Sequence, residues 1–263
     1  MAKKKTEVSA TNGKALATKA AAPLAKSHGT KIAARGFENL EREDILLPRL
    51  SLLQPLSPEV VDRGEKAGTM YINLSSKNIG VEVTVVPVLH YRSRIKWNPV
   101  DDGGGIDCRS ADAKVPADTK YAHTCAECNY KEWADNPKKK GEQLPPACTL
   151  YENFVILIGD STEPVIFPMA ITKVKVAKKF YSMMALKGDD MWLNAYKLKV
   201  VQEKNDKGQG YFNFAVQDIG KRTGDKQAAA AEKLWGTLSK ANITTEMTPE
   251  EAAPKETAAV GAY

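Results

Sequence analysis

All four cysteines of the chain, Cys108, Cys125, Cys128 and Cys148, fall within one stretch spaced C-x16-C-x2-C-x19-C. The inner Cys-Ala-Glu-Cys turn can place two thiolates on one metal, and the outer pair can complete a tetrahedron. Zn²⁺ suits such a set because it accepts four sulfur ligands in a closed site. The flanks read as a knuckle, with Gly103-Gly104-Gly105 before the first cysteine and Pro145-Pro146 before the last. The same spacing admits two disulfides or four unrelated buried thiols. No secretory signal opens the chain, so a reducing, cytoplasmic compartment is expected and disulfides are disfavoured. The expectation is one structural zinc per chain. His123 lies two residues before Cys125 and is an alternative ligand, although four cysteines leave it outside the ligand set.

A second set of residues joins cations to flat rings. From Val81 to Trp97, Val81, Val83, Val85, Leu89, Tyr91, Ile95 and Trp97 share one parity, and His90, Arg92, Arg94 and Lys96 share the other. Alternation of this kind predicts a half-buried strand, with Pro87 marking a bend or bulge. The cationic parity is either a solvated face or a track for phosphates. Lys173, Lys175, Lys178 and Lys179 crowd the polar side of a predicted helix, and Tyr211 alternates with Phe212 and Phe214. Lys and Arg neutralise phosphates while aromatic rings stack unpaired bases without reading sequence. No recognition helix or finger array is apparent, which favours single strands over duplex. The candidate nucleic-acid residues are therefore Tyr91, Arg92, Arg94, Lys96, Trp97, Lys173, Lys175, Lys178, Lys179 and Tyr211.

Common catalytic signatures are missing. There are three histidines in all, and no HExxH, Gly-x-Ser-x-Gly or phosphate-cradling Gly-Lys loop occurs. Asp101-Asp102 and Asp189-Asp190 are paired carboxylates that could hold Mg²⁺. Each pair sits beside a glycine in a predicted turn, where Asp serves local hydrogen bonding. No catalytic residue is assigned, and the chain is expected to bind rather than to catalyse.

These residues need a scaffold. Extended segments are predicted around 45–53, over Met70–Leu74, Val81–Trp97, Leu150–Ile158 and Pro164–Met169, and as a hairpin of Trp192–Val201 with Gly210–Gln217. Helices are predicted over Thr172–Leu186 and Gln227–Ala241. The fold class is mainly β with flanking helices (α+β). It is compatible with an OB-like barrel carrying a zinc loop at about 98–148, although pattern alone does not separate barrel from sandwich. Residues 1–35 carry eight Lys/Arg and one Glu, whereas 243–263 carry four Glu and one Lys; the whole chain is +6. Residues 1–36 are expected to be a disordered basic arm, 37–241 the body, and 242–263 a disordered, mildly acidic tail. No apolar run reaches the length of a membrane helix.

The order Ile45-Leu46-Leu47-Pro48-Arg49-Leu50, Gln54, Ser57-Pro58-Glu59-Val60, then Cys108-Arg109-Ser110, Cys125-x2-Cys128 and Pro146-Ala147-Cys148 resembles zinc-containing single-stranded DNA-binding proteins of tailed bacteriophages. The segment 172–179 and the hairpin at Gly210-Tyr211 resemble that group too. The resemblance implies an OB-type fold that coats single-stranded DNA in phage replication or recombination. It also implies an acidic C-terminal tail that recruits replication proteins, from which this chain departs at Lys255. The rival readings are a strand-annealing recombination mediator and a zinc-bearing virion or assembly protein whose basic arm touches the genome.

Overall fold

One long strand, β4 (Glu82–Trp97), carries the scaffold. It pairs antiparallel along its length with β8 (Cys148–Ile158), whose buried residues lie on both faces, as a central strand requires. The hydrogen-bonded order of the main sheet is β11 (Gly210–Arg222), β10 (Asn194–Lys204), β4, β8 and β9 (Pro164–Ala170). A shorter strand, β5 (Ile106–Ser110), pairs with the far end of β4. The computed structural model describes residues 46–99, 104–137, 139–205 and 208–240. The expectations for the basic arm, the acidic tail and Asp101-Asp102 concern residues outside these.

Pro87 has no N–H to give to a ladder, so a strand that contains it accommodates it best at a bulge. The register obeys: Pro87 faces Ile156 and Leu89 faces the adjacent Val155, leaving Val88 as the extra residue. This bulge corrects the parity read from sequence. Each residue beyond it turns to the opposite face from the one simple alternation assigns. Val83 and Val85 pack in one core, while Leu89 and Tyr91 pack in the other beside Val86 and Val88. His90, Arg92, Arg94 and Lys96 thus share a face with Val83 and Val85, and Tyr91, Ile95 and Trp97 do not.

Two cores result. The first fills the space between one face of the sheet, helix α2 (Val174–Lys187) and a small sheet. That sheet has the order β1 (Leu50–Leu52), β2 (Met70–Ile72) and β3 (Lys77–Gly80), with the short helix α1 (Pro58–Val61) between β1 and β2 in the chain. Helix α2 contributes Ala177, Phe180 and Met184, spaced to form one stripe, and ends at Gly188 in the left-handed conformation that favours glycine. The second core lies on the opposite face under α3 (Asp225–Leu238), with Trp192, Ala231 and Leu238. The class is mainly β with few helices. No closed barrel forms among the described residues, because the main path ends at β11 and β9. The small sheet meets β9 through a single parallel bridge, Arg49 to Ile166.

A side-chain amide ties the small sheet's connections to β11. Gln54 donates from Nε2 to the Phe212 carbonyl and accepts the Phe212 N–H at Oε1, at 2.9 and 3.0 Å. This fixes the Phe212 ring over Gly68, where φ is +77° and a Cβ would lie 2.6 Å from the ring. Gly68→Ala is expected to destabilise by about 2 kcal/mol through overpacking and backbone strain. A lower urea midpoint with an unchanged slope is the expected result.

Candidate functional site

The segment between β4 and β8 contains β5, a two-stranded hairpin of β6 (Ala134–Asp135) and β7 (Gln143–Leu144), and all four cysteines. Its strongest anchor is Asp107. That carboxylate accepts from Lys96 Nζ, from Lys120 Nζ at 3.0 Å and from the Tyr121 hydroxyl at 2.6 Å. These donors, Lys96 foremost, hold it below the usual carboxylate range. Lys96 also stands 4.8 Å and 4.6 Å from the ring centres of Tyr121 and Tyr130. Enclosed in this way, Lys96 secures the segment to the sheet.

Cys108, Cys125, Cys128 and Cys148 line a single cavity of about 20 Å³, room for one water-sized atom. Burial raises the Cys108 thiol, with Cys125 and Cys128 adding to the effect. Burial likewise pushes Cys148 up to about 11, opposed by Arg94 and reinforced by Cys128 and Cys108. Among the described residues, no three or more His, Cys, Asp or Glu side chains are gathered as a metal-ligand set. The thiols share the cavity without converging on a common centre. Arg94 lines the same cavity and donates to the Cys148 carbonyl at 3.4 Å. His123 is exposed and does not line it.

A larger groove of about 730 Å³ opens beside β4. The second edge of β4 pairs with β10 over Glu82–Val85 and with β5 over Arg94–Trp97. Among the described residues no strand pairs with that edge between Val86 and Ser93. The groove sits against this gap. His90, Tyr91 and Arg92 line it from β4, Lys114 from the cysteine segment and Tyr181 from α2.

Glu152 fixes the groove's cationic side. Only 1% of its side chain is exposed, and its carboxylate faces His90 Nε2 at 2.7 Å and Arg92 Nε at 3.1 Å. That pairing raises the Arg92 pKa. Half of the Arg92 side chain (52%) stays exposed. The His90 ring lies between Phe154 and Tyr181, at 4.7 and 5.6 Å.

The residues predicted from sequence separate in the structure. Tyr91 and Arg92 meet in the groove. Arg94 goes to the thiols, Lys96 to Asp107, and Trp97 packs with Ile95 and Tyr151. Lys173 stands 5.4 Å from the Phe214 ring centre, where burial, with Arg49 nearby, lowers its ammonium to about 8. Lys175, Lys178 and Lys179 are exposed on α2, and Lys178 lies one turn before Tyr181 on the same side of the helix. Tyr211 donates to Glu203 at the far end of the β10–β11 hairpin, 2.6 Å away. Asp189 of the second acidic pair is bound by Arg222.

Sequence reasoning passed over Glu152, Lys114 and Tyr181. An acid inside an otherwise apolar strand was the available signal for Glu152. Nothing in the periodicity of α2 distinguished Tyr181 from its core neighbours.

A family model described as Pam3 phage gp34-like protein matches residues 14–244. The chain belongs to the Pam3 phage gp34-like family. The match takes in β4, the cysteine segment, α2 and α3, so the groove and the thiol cavity both lie within the gp34-like region. No curated protein and no solved structure matches this gp34-like chain. Among its described residues no helix is long and apolar enough to cross a membrane.

Proposed function

We propose that this phage protein binds single-stranded DNA without sequence preference, along the groove at the open edge of β4. The observation that carries this reading is the lining: two tyrosines, Arg92, Lys114 and His90 on one concave surface. Cations beside π-faces suit a flexible strand whose bases are unpaired. A main sheet and a small sheet enclosing one core, open at their junction, support an OB-like reading of the body.

Zinc in the cysteine cavity belongs to the same proposal. The residue types suit it: Cys108, Cys125, Cys128 and Cys148 line one small cavity and are the soft donors a closed, structural Zn²⁺ takes, and binding would have to draw the four thiols together. Such an ion would supply cross-linking and no catalysis, since no position is left for water or substrate. Arg94, beside Cys148, would offset part of the negative charge of four thiolates.

Fluorescence anisotropy with oligo-dT and with duplex of equal length tests the binding. The single strand is expected to bind more tightly, and its log–log salt slope to fall by about 0.7 in Lys114→Ala as one phosphate contact is lost. Tyr181→Ala should weaken binding about 10-fold, within the ~1–3 kcal/mol of one stacked base. Equal affinity for duplex, or no binding, overturns the proposal. Acceleration of strand annealing in the same mixtures would identify a recombination mediator instead.

A further inference from the structure

Helix α2 carries charge of one sign only. From Pro164 to Gly188 the sequence holds five lysines and no acidic residue. Two of the five have partners: Lys173 stands over the Phe214 ring, and Lys187 pairs with Asp218 at 2.7 Å. Lys175, Lys178 and Lys179 are exposed, and among the described residues no carboxylate forms an ion pair with them. They lie outside the buried stripe of Ala177, Phe180 and Met184. Lys175 is three residues from Lys178 and four from Lys179, so the three share one patch of the helix surface, and like charges at such spacings destabilise a helix. A counter-charge from outside the chain would relieve that repulsion.

The cluster adjoins the groove. Tyr181 lines the groove from α2, one turn after Lys178. After Glu152, Tyr181 is among the groups that raise the Arg92 pKa, so its hydroxyl stands near that guanidinium. From Tyr181 back to Lys175 is about 9 Å along the helix axis. Lys175 in turn feels Glu203: Tyr211 and Asn213 hold that carboxylate below its usual range by hydrogen bonds, and Lys175 adds to the effect. A line of cations therefore runs from Arg92 in the groove along α2 toward the far end of the β10–β11 hairpin.

We propose that a single strand held in the groove leaves it past Tyr181 and follows α2 toward its N-terminal end, its phosphates taken by Lys178, Lys179 and Lys175. This rests on the binding reading given above and divides that site in two. In the groove, rings hold bases and cations hold phosphates. On the helix only phosphates are held, because the one other ring of α2, Phe180, is buried. A strand too short to extend beyond Tyr181 does not reach these lysines, so their contribution depends on strand length. Lys173, turned onto Phe214, takes no part.

Full-length protein is titrated, over a range of salt, with oligo-dT of about 4 and of about 16 nucleotides, the two ends of what one OB fold occludes. The triple variant Lys175→Ala, Lys178→Ala, Lys179→Ala is compared with the parent. With the long strand its log–log salt slope is expected to fall by about 2, three contacts at about 0.7 each. With the short strand affinity and slope should stay as in the parent. A second triple variant, Lys221→Ala, Lys226→Ala, Lys233→Ala, removes the same charge from exposed positions on β11 and α3 and should change neither. The melting temperature of the α2 variant should hold or rise as the repulsion is relieved. An unchanged slope on the long strand overturns the inference and leaves the binding reading intact. So does an equal fall in the two triple variants, which would reduce the effect to net charge, or an equal fall on both strands, which would place the lysines in the groove itself. A lower melting temperature would give the lysines a structural role and overturns it too. Parent protein that binds neither strand overturns the binding reading, and this inference with it.

Discussion

Replacing Cys148 with serine is expected to reduce bound zinc from about one per chain to almost none, because an alcohol is a poor substitute for a thiolate ligand. Cys148 is the informative choice among the four. It is buried, opens β8 and pairs with Lys96 across the sheet, so a side chain of similar size leaves the strand in place. The loss should concentrate in the segment between β4 and β8. Structural zinc sites contribute on the order of 10 kcal/mol to the small domains they organise. Among the described residues its other supports are the β5–β4 pairing, the Asp107 cluster, the short β6–β7 hairpin and the Asp112 turn. Limited proteolysis should cut there many times faster in Cys148→Ser than in the parent, with the sheet surviving as a resistant fragment. Elemental analysis of fresh, reduced parent protein is the control. A parent without metal would refute the zinc assignment.

Arg92→Ala is expected to destabilise the fold by about 3 kcal/mol, more than Glu152→Gln does. The two partners are unequally buried, 52% of the arginine side chain being exposed against 1% of the glutamate. Removing the outer partner leaves an ionised carboxylate in the interior with His90 as its remaining partner, and an uncompensated buried charge costs about 3–5 kcal/mol. The low end applies because the His90 contact at 2.7 Å survives. Replacing Glu152 with a neutral isostere lets the half-exposed Arg92 return to water. Urea midpoints of the two variants and of their double mutant measure the asymmetry and the coupling. A larger loss in Glu152→Gln would mean that the pair is not organised around the buried acid. The oligo-dT affinity of Arg92→Ala is to be read only at temperatures where that variant is folded.

The strand content, the two longer helices and the hairpin after α2 were legible because each rests on local periodicity. The apolar run of β8, the stripe Ala177–Phe180–Met184 and the alternation in β4 are written in neighbouring residues. Strands β3 and β5 were not: Lys77–Gly80 and Ile106–Ser110 are short, largely polar pieces that pair because β2 and β4 offer them an edge. The cysteine stretch was legible as one site because four like residues in 41 positions need no fold to suggest a common purpose.

The cationic stripe shows where such reading ends. His90, Arg92, Arg94 and Lys96 alternate as one face, and sequence offers no reason to divide them. Their partners do: Glu152 and Cys148 lie 54 to 62 residues away and Asp107 across a loop, and they divide the cations, Glu152 taking His90 and Arg92, the cysteine cavity Arg94 and Asp107 Lys96. The bulge at Val88 then sets which core that face shares, a matter of register against β8 that Pro87 could announce but not resolve. From its sequence alone the chain determined that its cysteines fall in one stretch, that β4 carries both cations and rings, and where its longer strands and helices fall. Only the tertiary structure decided which charges are held inside and which line the groove. An ion pair is made between residues that the sheet brings together, and local periodicity carries no record of that pairing.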